Sequence, residues 1–185
     1  MLLGAPPLAL AYISSINLLL MSQQNQADAF CKLVRSPVKF RLFLLAKLPM
    51  AYLAGLRIAT LTSELASVTI PYKYINKNPF NSIYFACLSM AAELSTGALC
   101  MMYVYRAHPA ISMLVVHMEA DFTKKAVGTI TFTCQDGQLI QQAVETTKAA
   151  GQGVTVTATS IGTDERGEQV AIFRYTWSLK AKTGS

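Results

Sequence analysis

The stretch from Ser82 to Tyr105 contains one charged side chain, Glu93, among apolar and small residues. Its length and composition predict a long helix that is buried in the protein. A carboxylate in such surroundings must be paired, protonated or used in chemistry, because desolvation disfavours its charged form and raises its pKa. Glu93 is therefore the strongest indication of function in the sequence.

The composition fits one domain that is more apolar than an average soluble protein. A chain of 185 residues can bury a sizeable core, and 52% of its residues are hydrophobic against 14% charged. This balance raises membrane insertion as an alternative. The four cysteines show no CxxC spacing and the two histidines form no cluster, so neither a zinc site nor a disulfide framework is expected. A reducing cytoplasm is the predicted compartment.

Positive charge is concentrated between residues 28 and 57, a stretch with six basic residues and one acidic residue, Asp28. They are Lys32, Arg35, Lys39, Arg41, Lys47 and Arg57. Apolar residues lie between them, and Pro37 and Pro49 mark breaks between helices. This pattern predicts basic amphipathic helical segments over residues 21–52. One interpretation is peripheral contact with anionic lipid or attraction of a polyanionic substrate. The other is a helix packed on its own domain with a solvated basic face. Nucleic acid is not an expected partner, since no recognised binding motif is present.

Residues 1–20 are uncharged and rich in Leu, Ala and Ile. They lack the positive n-region of a signal peptide. Because Met21-Ser22-Gln23 resembles the start of a cytoplasmic protein, one interpretation is an extension from a misplaced start codon. A membrane anchor is the competing interpretation, since about 20 apolar residues span a bilayer.

Alternating apolar and polar residues predict four strands in the second half of the chain, at residues 112–122, 128–134, 154–161 and 170–179. In the first of these, the even positions from Leu114 to Ala120 are predicted to share one face. A helix is predicted between the second and third strands, over residues 138–150, and two extended segments between Arg57 and Ile70. This order predicts an α+β domain in which one mainly antiparallel sheet encloses the long helix.

The segment Asn78-Pro-Phe-Asn-Ser-Ile-Tyr84-Phe85-Ala86 precedes Glu93, which stands nine residues after Tyr84. It resembles the start of the central helix in the hotdog-fold acyl-CoA thioesterases, in particular the phenylacetate-pathway thioesterase-like group and its uncharacterised relatives. In that family an Asn or Gln precedes a His-Gly-Gly segment, and an acidic residue follows the His by about nine positions. Here Tyr84-Phe85-Ala86 stands in place of His-Gly-Gly.

Two further segments, Phe122–Ala126 and Tyr175–Lys180, also resemble that family, and the resemblance covers residues 30–182. It implies a hotdog fold, with an antiparallel sheet wrapped around a long central helix, over residues 53–182. An N-terminal helical segment precedes this domain. The resemblance also implies a homodimer or a dimer of dimers.

Thioester hydrolysis needs a carboxylate that attacks or activates water, and donors that hold the developing oxyanion. The start of a helix offers unpaired amides for the second task. Phe85 and Glu93 are eight residues apart, about 12 Å along a helix, so the two parts must come from different protomers of a two-fold dimer. We assign Glu93 as general base or nucleophile, the Phe85 amide as oxyanion donor, Asn78 as carbonyl-orienting group and Tyr84 as a further donor.

Four more residues are predicted to contact substrate. Asn81 and Ser82 lie before the long helix, where they also fit a helix cap. Lys124 and Lys125 fit the phosphates of coenzyme A, or a solvated pair at a strand junction. No metal and no separate cofactor are expected, since coenzyme A enters only as part of the substrate.

The predicted function is an acyl-CoA thioesterase acting on a fatty or aromatic acyl chain. A catalytically silent hotdog domain is the alternative, one that binds an acyl thioester or lipid or only dimerises; the replacement of His-Gly-Gly favours it. A third alternative is a membrane-anchored form held by residues 1–20. A serine or cysteine hydrolase is not expected, because the sequence contains no Gly-x-Ser-x-Gly elbow.

Overall fold

The computed structural model describes residues 29–150 and 153–182. Three helices come first: α1 (residues 29–35), α2 (Pro37–Lys47) and α3 (Pro49–Ala54). They are followed by β1 (Arg57–Leu61), β2 (Ala66–Pro71), a 3-10 turn (Tyr74–Asn76) and α4 (Phe85–Val104). The remaining elements are β3 (Ile111–Phe122), β4 (Thr129–Cys134), α5 (Gly137–Ala150), β5 (Val154–Thr163) and β6 (Gln169–Ala181). The predictions for residues 1–20 lie outside the described residues.

The described strands form one six-stranded antiparallel sheet in the order β1-β2-β4-β5-β6-β3. Helix α4 packs on one face of this sheet and contacts all six strands. Buried apolar side chains on the same face form the core with it, for example Val68, Ile130, Phe132, Phe173 and Leu179. The predicted α+β architecture, with a long helix against a mainly antiparallel sheet, is confirmed.

Small residues allow α4 to lie close to the sheet. Ala91, Ala92 and Ala98 are buried, and the Ser95 and Ser160 hydroxyls lie 2.7 Å apart between helix and sheet. The helix is long and apolar enough to cross a membrane, but most of it is buried inside the protein. Its apolar character is therefore accounted for by the core.

The predicted alternation holds in three of the four strands and fails in β3. In β4, β5 and β6 the buried residues alternate along the strand as predicted. In β3 the register shifts between Val115 and His117, which is a β-bulge. The pairs on the buried side of β6 are Met113–Leu179, Val115–Trp177, Met118–Tyr175 and Ala120–Phe173. The prediction that positions 114 to 120 share one face is therefore wrong, because the extra residue changes which side chains face the helix.

The described part of the basic segment, from residue 29 onward, forms α1, α2 and α3 and packs on the domain along one side; residues 21–28 lie outside the described residues. Pro37 and Pro49 stand in the first turns of α2 and α3, where a proline ring is tolerated. Phe40 and Leu44 are buried, whereas Val38 and Leu42 are exposed. Further exposed apolar residues of this segment are Leu45, Leu48, Met50 and Leu53.

Candidate active site

Glu93 faces an apolar cleft of about 480 Å³ between the N-terminal helices and α4. Phe40 and Phe43 of α2 line one side, and Met101 of α4 and Trp177 of β6 line another. Lys47 is the one other charged residue among the described residues of its lining. We name this space the Glu93 cleft. It places the single carboxylate of α4 beside a volume suited to an apolar ligand.

The Glu93 carboxylate has no hydrogen bond or ion pair with any residue that the structure describes. Burial raises its pKa above the ordinary value of 4.5. A carboxylate with a raised pKa, open to a cleft and without a competing partner, is a better proton acceptor than a surface carboxylate. This geometry matches what a general base needs.

Tyr175 lies on the same side of the sheet as Glu93 and is held as a neutral hydroxyl. Its Oη lies 2.7 Å from the Ser89 Oγ and donates to the Ser89 carbonyl at 2.9 Å. Burial, together with the Glu93 charge, raises the pKa of Tyr175 to about 12, against the lowering effect of the Ser89 hydrogen bond. Tyr175 therefore stays protonated beside the carboxylate at neutral pH.

The wall of the Glu93 cleft depends on Gly97, one turn after Glu93. A Cβ at this position would lie 3.3 Å from two atoms of the Trp177 ring and 3.4 Å from Glu93 Oε1. The ring is held in place because Trp177 Nε1 donates to Thr96 Oγ1 at 3.0 Å. Sequence reasoning missed both Gly97 and Trp177 as site residues. A glycine inside a helix costs about 1 kcal/mol relative to alanine, and this cost was the available signal of a packing role.

A second cleft of about 480 Å³ lies at the start of α4, and we name it the helix-start cleft. It brings together six of the residues singled out in the sequence, although they come from two separate stretches of the chain. They are Asn78, Ser82, Tyr84, Phe85, Lys124 and Lys125. Asn81 does not line it; this residue is exposed and adopts a left-handed backbone with φ of 57°.

Helix α4 begins without a side-chain cap. Tyr84 is the N-cap residue, in an extended conformation, and Phe85 is the first helical residue. The predicted cap at Asn81 and Ser82 is wrong, because the Ser82 hydroxyl accepts instead from Asn78 Nδ2 at 2.9 Å. The Phe85 amide has no acceptor among the described residues and is available as an oxyanion donor. The side chains of Tyr84 and Phe85 are half-exposed at the cleft.

The Asn78 side chain is largely used within its own turn. Its Oδ1 accepts from the Phe80 amide at 2.9 Å and the Ser82 amide at 3.2 Å, while its Nδ2 donates to Ser82. One Nδ2 hydrogen is left for another acceptor. The turn therefore fixes the orientation of Asn78 at the edge of the cleft.

The two lysines of the helix-start cleft differ in their surroundings. Lys124 Nζ forms ion pairs with Asp164, at 2.8 Å, and with Glu168. These partners raise the pKa of Lys124, and Lys124 lowers the pKa of Asp164. Lys125 Nζ lies 3.4 Å from the Phe80 carbonyl. The charge of Lys124 is thus already balanced by two carboxylates, which weakens it as a phosphate ligand.

The Glu93 cleft and the helix-start cleft share no lining residue. Phe85 and Glu93 stand eight residues apart in α4, about 12 Å along the helix axis. A single chain therefore separates the carboxylate from the unpaired amide. Both features exist in the structure, but they do not converge within one protomer.

The family model for a domain of unknown function, DUF4442, matches residues 38–179. The chain belongs to the DUF4442 family. This match runs from α2 to β6 and includes the helix-start cleft and all described lining residues of the Glu93 cleft except Phe30. No curated protein matches the sequence.

Solved structures show which fold this DUF4442 protein has. The Pseudomonas aeruginosa protein PA5026 is similar with a TM-score of 0.67 and 24% identity, over 80% of this chain and 97% of that one. Escherichia coli PaaI, from the phenylacetic acid degradation operon, is similar with a TM-score of 0.58 and 15% identity, over 88% of this chain and 98% of that one. The Haemophilus influenzae thioesterase HI1161 is similar with a TM-score of 0.54 and 11% identity, over 76% of this chain and 88% of that one. The predicted hotdog fold is confirmed by these likenesses.

Proposed function

We propose that this protein hydrolyses a fatty or aromatic acyl thioester, with Glu93 as the general base or nucleophile. The observation that carries the proposal is the Glu93 carboxylate itself, which is partly buried, has no partner among the described residues and faces an apolar cleft. An apolar acyl chain fits that cleft. A carboxylate at its wall is suited to attack a thioester or to activate water.

The fold supports the same reaction class. HI1161 is a thioesterase, and PA5026 carries the description of a probable thioesterase. Their likeness to this chain concerns the fold, so the activity is argued from the site. The site contributes a carboxylate in one cleft and an unpaired helix-start amide in the other.

The reaction requires two protomers. The Phe85 amide of one chain would donate to the thioester oxygen, while Glu93 of the other removes a proton from water. The water oxygen then bonds to the carbonyl carbon, the C–S bond breaks, and the thiolate takes the proton from Glu93. If Glu93 attacks directly, an acyl anhydride with Glu93 forms as the C–S bond breaks and the thiolate leaves. Water then hydrolyses the anhydride, and a proton from that water goes to the thiolate. Both routes give a carboxylic acid and a thiol.

The sheet edge supports a homodimer. Strand β3 is at one end of the described sheet, with β6 as its neighbour, and it exposes Leu114, Val116 and Met118. An exposed edge strand with apolar side chains is prone to pair with another chain. A two-fold copy would bring a second α4 beside the first.

The alternative is a silent domain that binds an acyl thioester or lipid without turnover. The half-exposed Tyr84 and Phe85 rings favour it, with centroids 5.0 Å apart at the start of α4. Phe85 stands where the thioesterase family has glycine, and a side chain at that position leaves less room for close approach to the backbone than glycine does. A turnover assay separates the two functions.

The test is thiol release from short, long and aromatic acyl-CoAs by the wild type and by Glu93→Gln. We expect the variant to lose at least about 10²-fold in kcat/KM while its circular dichroism and oligomeric state are unchanged. Glu64→Gln, an exposed carboxylate between β1 and β2 that lines neither cleft, is the matched control and should keep full activity. If the wild type releases no thiol from any of these substrates, the thioesterase proposal is wrong and the binding domain is favoured.

A further inference from the structure

A third cleft, of about 660 Å³, lies between α1, α2 and the edge strand β1. Among the described residues of its lining, the charged ones are Arg35, Arg41 and Arg57, and none is a carboxylate. The described chain contains no acidic residue from residue 29 to residue 63. We name this space the arginine cleft. Three guanidinium groups around one space, without an acidic residue in the described lining, create a positive potential there.

The three arginines come from three different elements. Arg35 ends α1, Arg41 is on α2 and Arg57 opens β1. Arg41 stacks on the Tyr52 ring, with its Cζ 4.8 Å from the ring centroid. None of the three takes part in an ion pair within the described part of the chain. No carboxylate of the described residues occupies their donors.

A guanidinium group offers a planar fork of donors that matches phosphate oxygens, so phosphate is the ligand chemistry that three arginines favour. The position of the cleft narrows the choice further. Phe40 and Ile58 line both the arginine cleft and the Glu93 cleft, so the two spaces adjoin. One ligand can thus present phosphates to the arginines and an acyl thioester to Glu93. Coenzyme A thioesters have this shape, because the pantetheine arm separates the thioester from the nucleotide phosphates.

We propose that the arginine cleft binds the nucleotide phosphates of the acyl-CoA whose thioester reaches Glu93. This inference rests on the proposed function. It names coenzyme A as the group that carries the acyl chain and the arginine cleft as the site that binds its phosphates. It moves phosphate recognition away from Lys124, whose charge is balanced by Asp164 and Glu168. The basic segment then serves substrate binding, which was one of the interpretations that its sequence left open.

The experiment measures binding of free coenzyme A by titration calorimetry, without turnover. The variant is Arg35→Gln/Arg57→Gln, which changes two exposed side chains. We expect at least about a tenfold loss of affinity for coenzyme A, since each arginine gives up charge-assisted hydrogen bonds. Binding of pantetheine, which lacks the nucleotide, should be unchanged. The lysine variant, Lys124→Gln/Lys125→Gln, tests the competing site in the helix-start cleft and should lose less affinity than the arginine variant does. The matched control is Lys180→Gln/Lys182→Gln, two exposed lysines that line none of the three clefts, which should bind coenzyme A within about twofold of the wild type.

Three results would overturn the inference. They are no measurable binding of coenzyme A by the wild type, equal affinity in the arginine variant, and a loss of affinity in the lysine variant alone. A fourth arm uses vesicles of phosphatidylcholine and phosphatidylserine in equal parts. If these vesicles bind through the arginines and coenzyme A does not, the cleft recognises a lipid headgroup and the inference is also wrong.

Failure here is distinct from failure of the proposed function. Glu93→Gln should bind coenzyme A as the wild type does, since it retains all three arginines. Arginine-dependent binding without any hydrolysis would refute the proposed activity and leave the arginine cleft standing. If the wild type hydrolyses acyl-CoA and the arginine variant does so equally well, the role of the arginine cleft is refuted and the proposed activity stands.

Discussion

Replacing Gly97 with alanine tests whether this glycine keeps space between α4 and Trp177. Alanine in a helix interior is favoured over glycine by about 1 kcal/mol. The new Cβ, however, would lie 3.3 Å from two Trp177 ring atoms, closer than an ordinary carbon contact. Trp177 is buried and hydrogen-bonded to Thr96, so its ring cannot move aside freely. Overpacking of this kind costs about 1–3 kcal/mol, and we expect a net destabilisation of about 1 kcal/mol.

Urea unfolding measured by circular dichroism gives the free energy of unfolding of each variant. The matched control is Gly97→Ala in a Trp177→Phe background, since phenylalanine lacks the outer ring atoms that the new Cβ would meet. There the helix propensity should dominate, and Gly97→Ala should stabilise by about 1 kcal/mol. The coupling energy between the two positions is then about 2 kcal/mol. Equal stabilisation by alanine in both backgrounds would refute the steric reasoning.

Two further predictions concern buried polar groups. Burial raises the pKa of Glu93 in the folded state, so the free energy of unfolding of the wild type relative to Glu93→Gln should be highest below pH 4.5 and fall as the pH rises through the raised pKa. Urea unfolding across pH checks this, and a pH-independent difference would contradict it. Asn76→Ala should lose about 3 kcal/mol of stability, because the buried Asn76 side chain donates to the Ala54 and Pro71 carbonyls and accepts from the Lys73 amide. Thermal and urea unfolding check it, and a loss below about 1 kcal/mol would show that water replaces these bonds.

The fold was predictable because its periodicities are strong and local. Strands β4, β5 and β6 alternate cleanly, and the composition from Ser82 to Tyr105 allows little besides a buried helix. The bulge in β3 was not predictable, because apolar residues stand at both odd and even positions there. Either set could have faced the helix, and pairing with β6 decided between them.

The candidate site was predictable in part. Glu93 stands out because a charge in an apolar run has an identifiable cost, and residues before α4 were placed in a common cleft by their closeness in sequence. The partners of Lys124 were not predictable, because Asp164 and Glu168 reach it from a distant turn. The role of Gly97 was not predictable either, because it depends on contact with Trp177, which lies in β6. Contacts between elements that are remote in sequence therefore account for most of what was missed.

The lining of the Glu93 cleft comes largely from two parts of the fold, α4 and the N-terminal helices. Its floor belongs to α4, which also supplies the carboxylate and the centre of the core, whereas much of its roof belongs to α2 through Phe40, Phe43 and Lys47. Substitutions of Phe43 or Lys47, which are less buried than Phe40, would reshape this space and leave the sequence of α4 unchanged. Under the proposed function, a change of substrate could then arise in the N-terminal helices while α4 keeps the carboxylate.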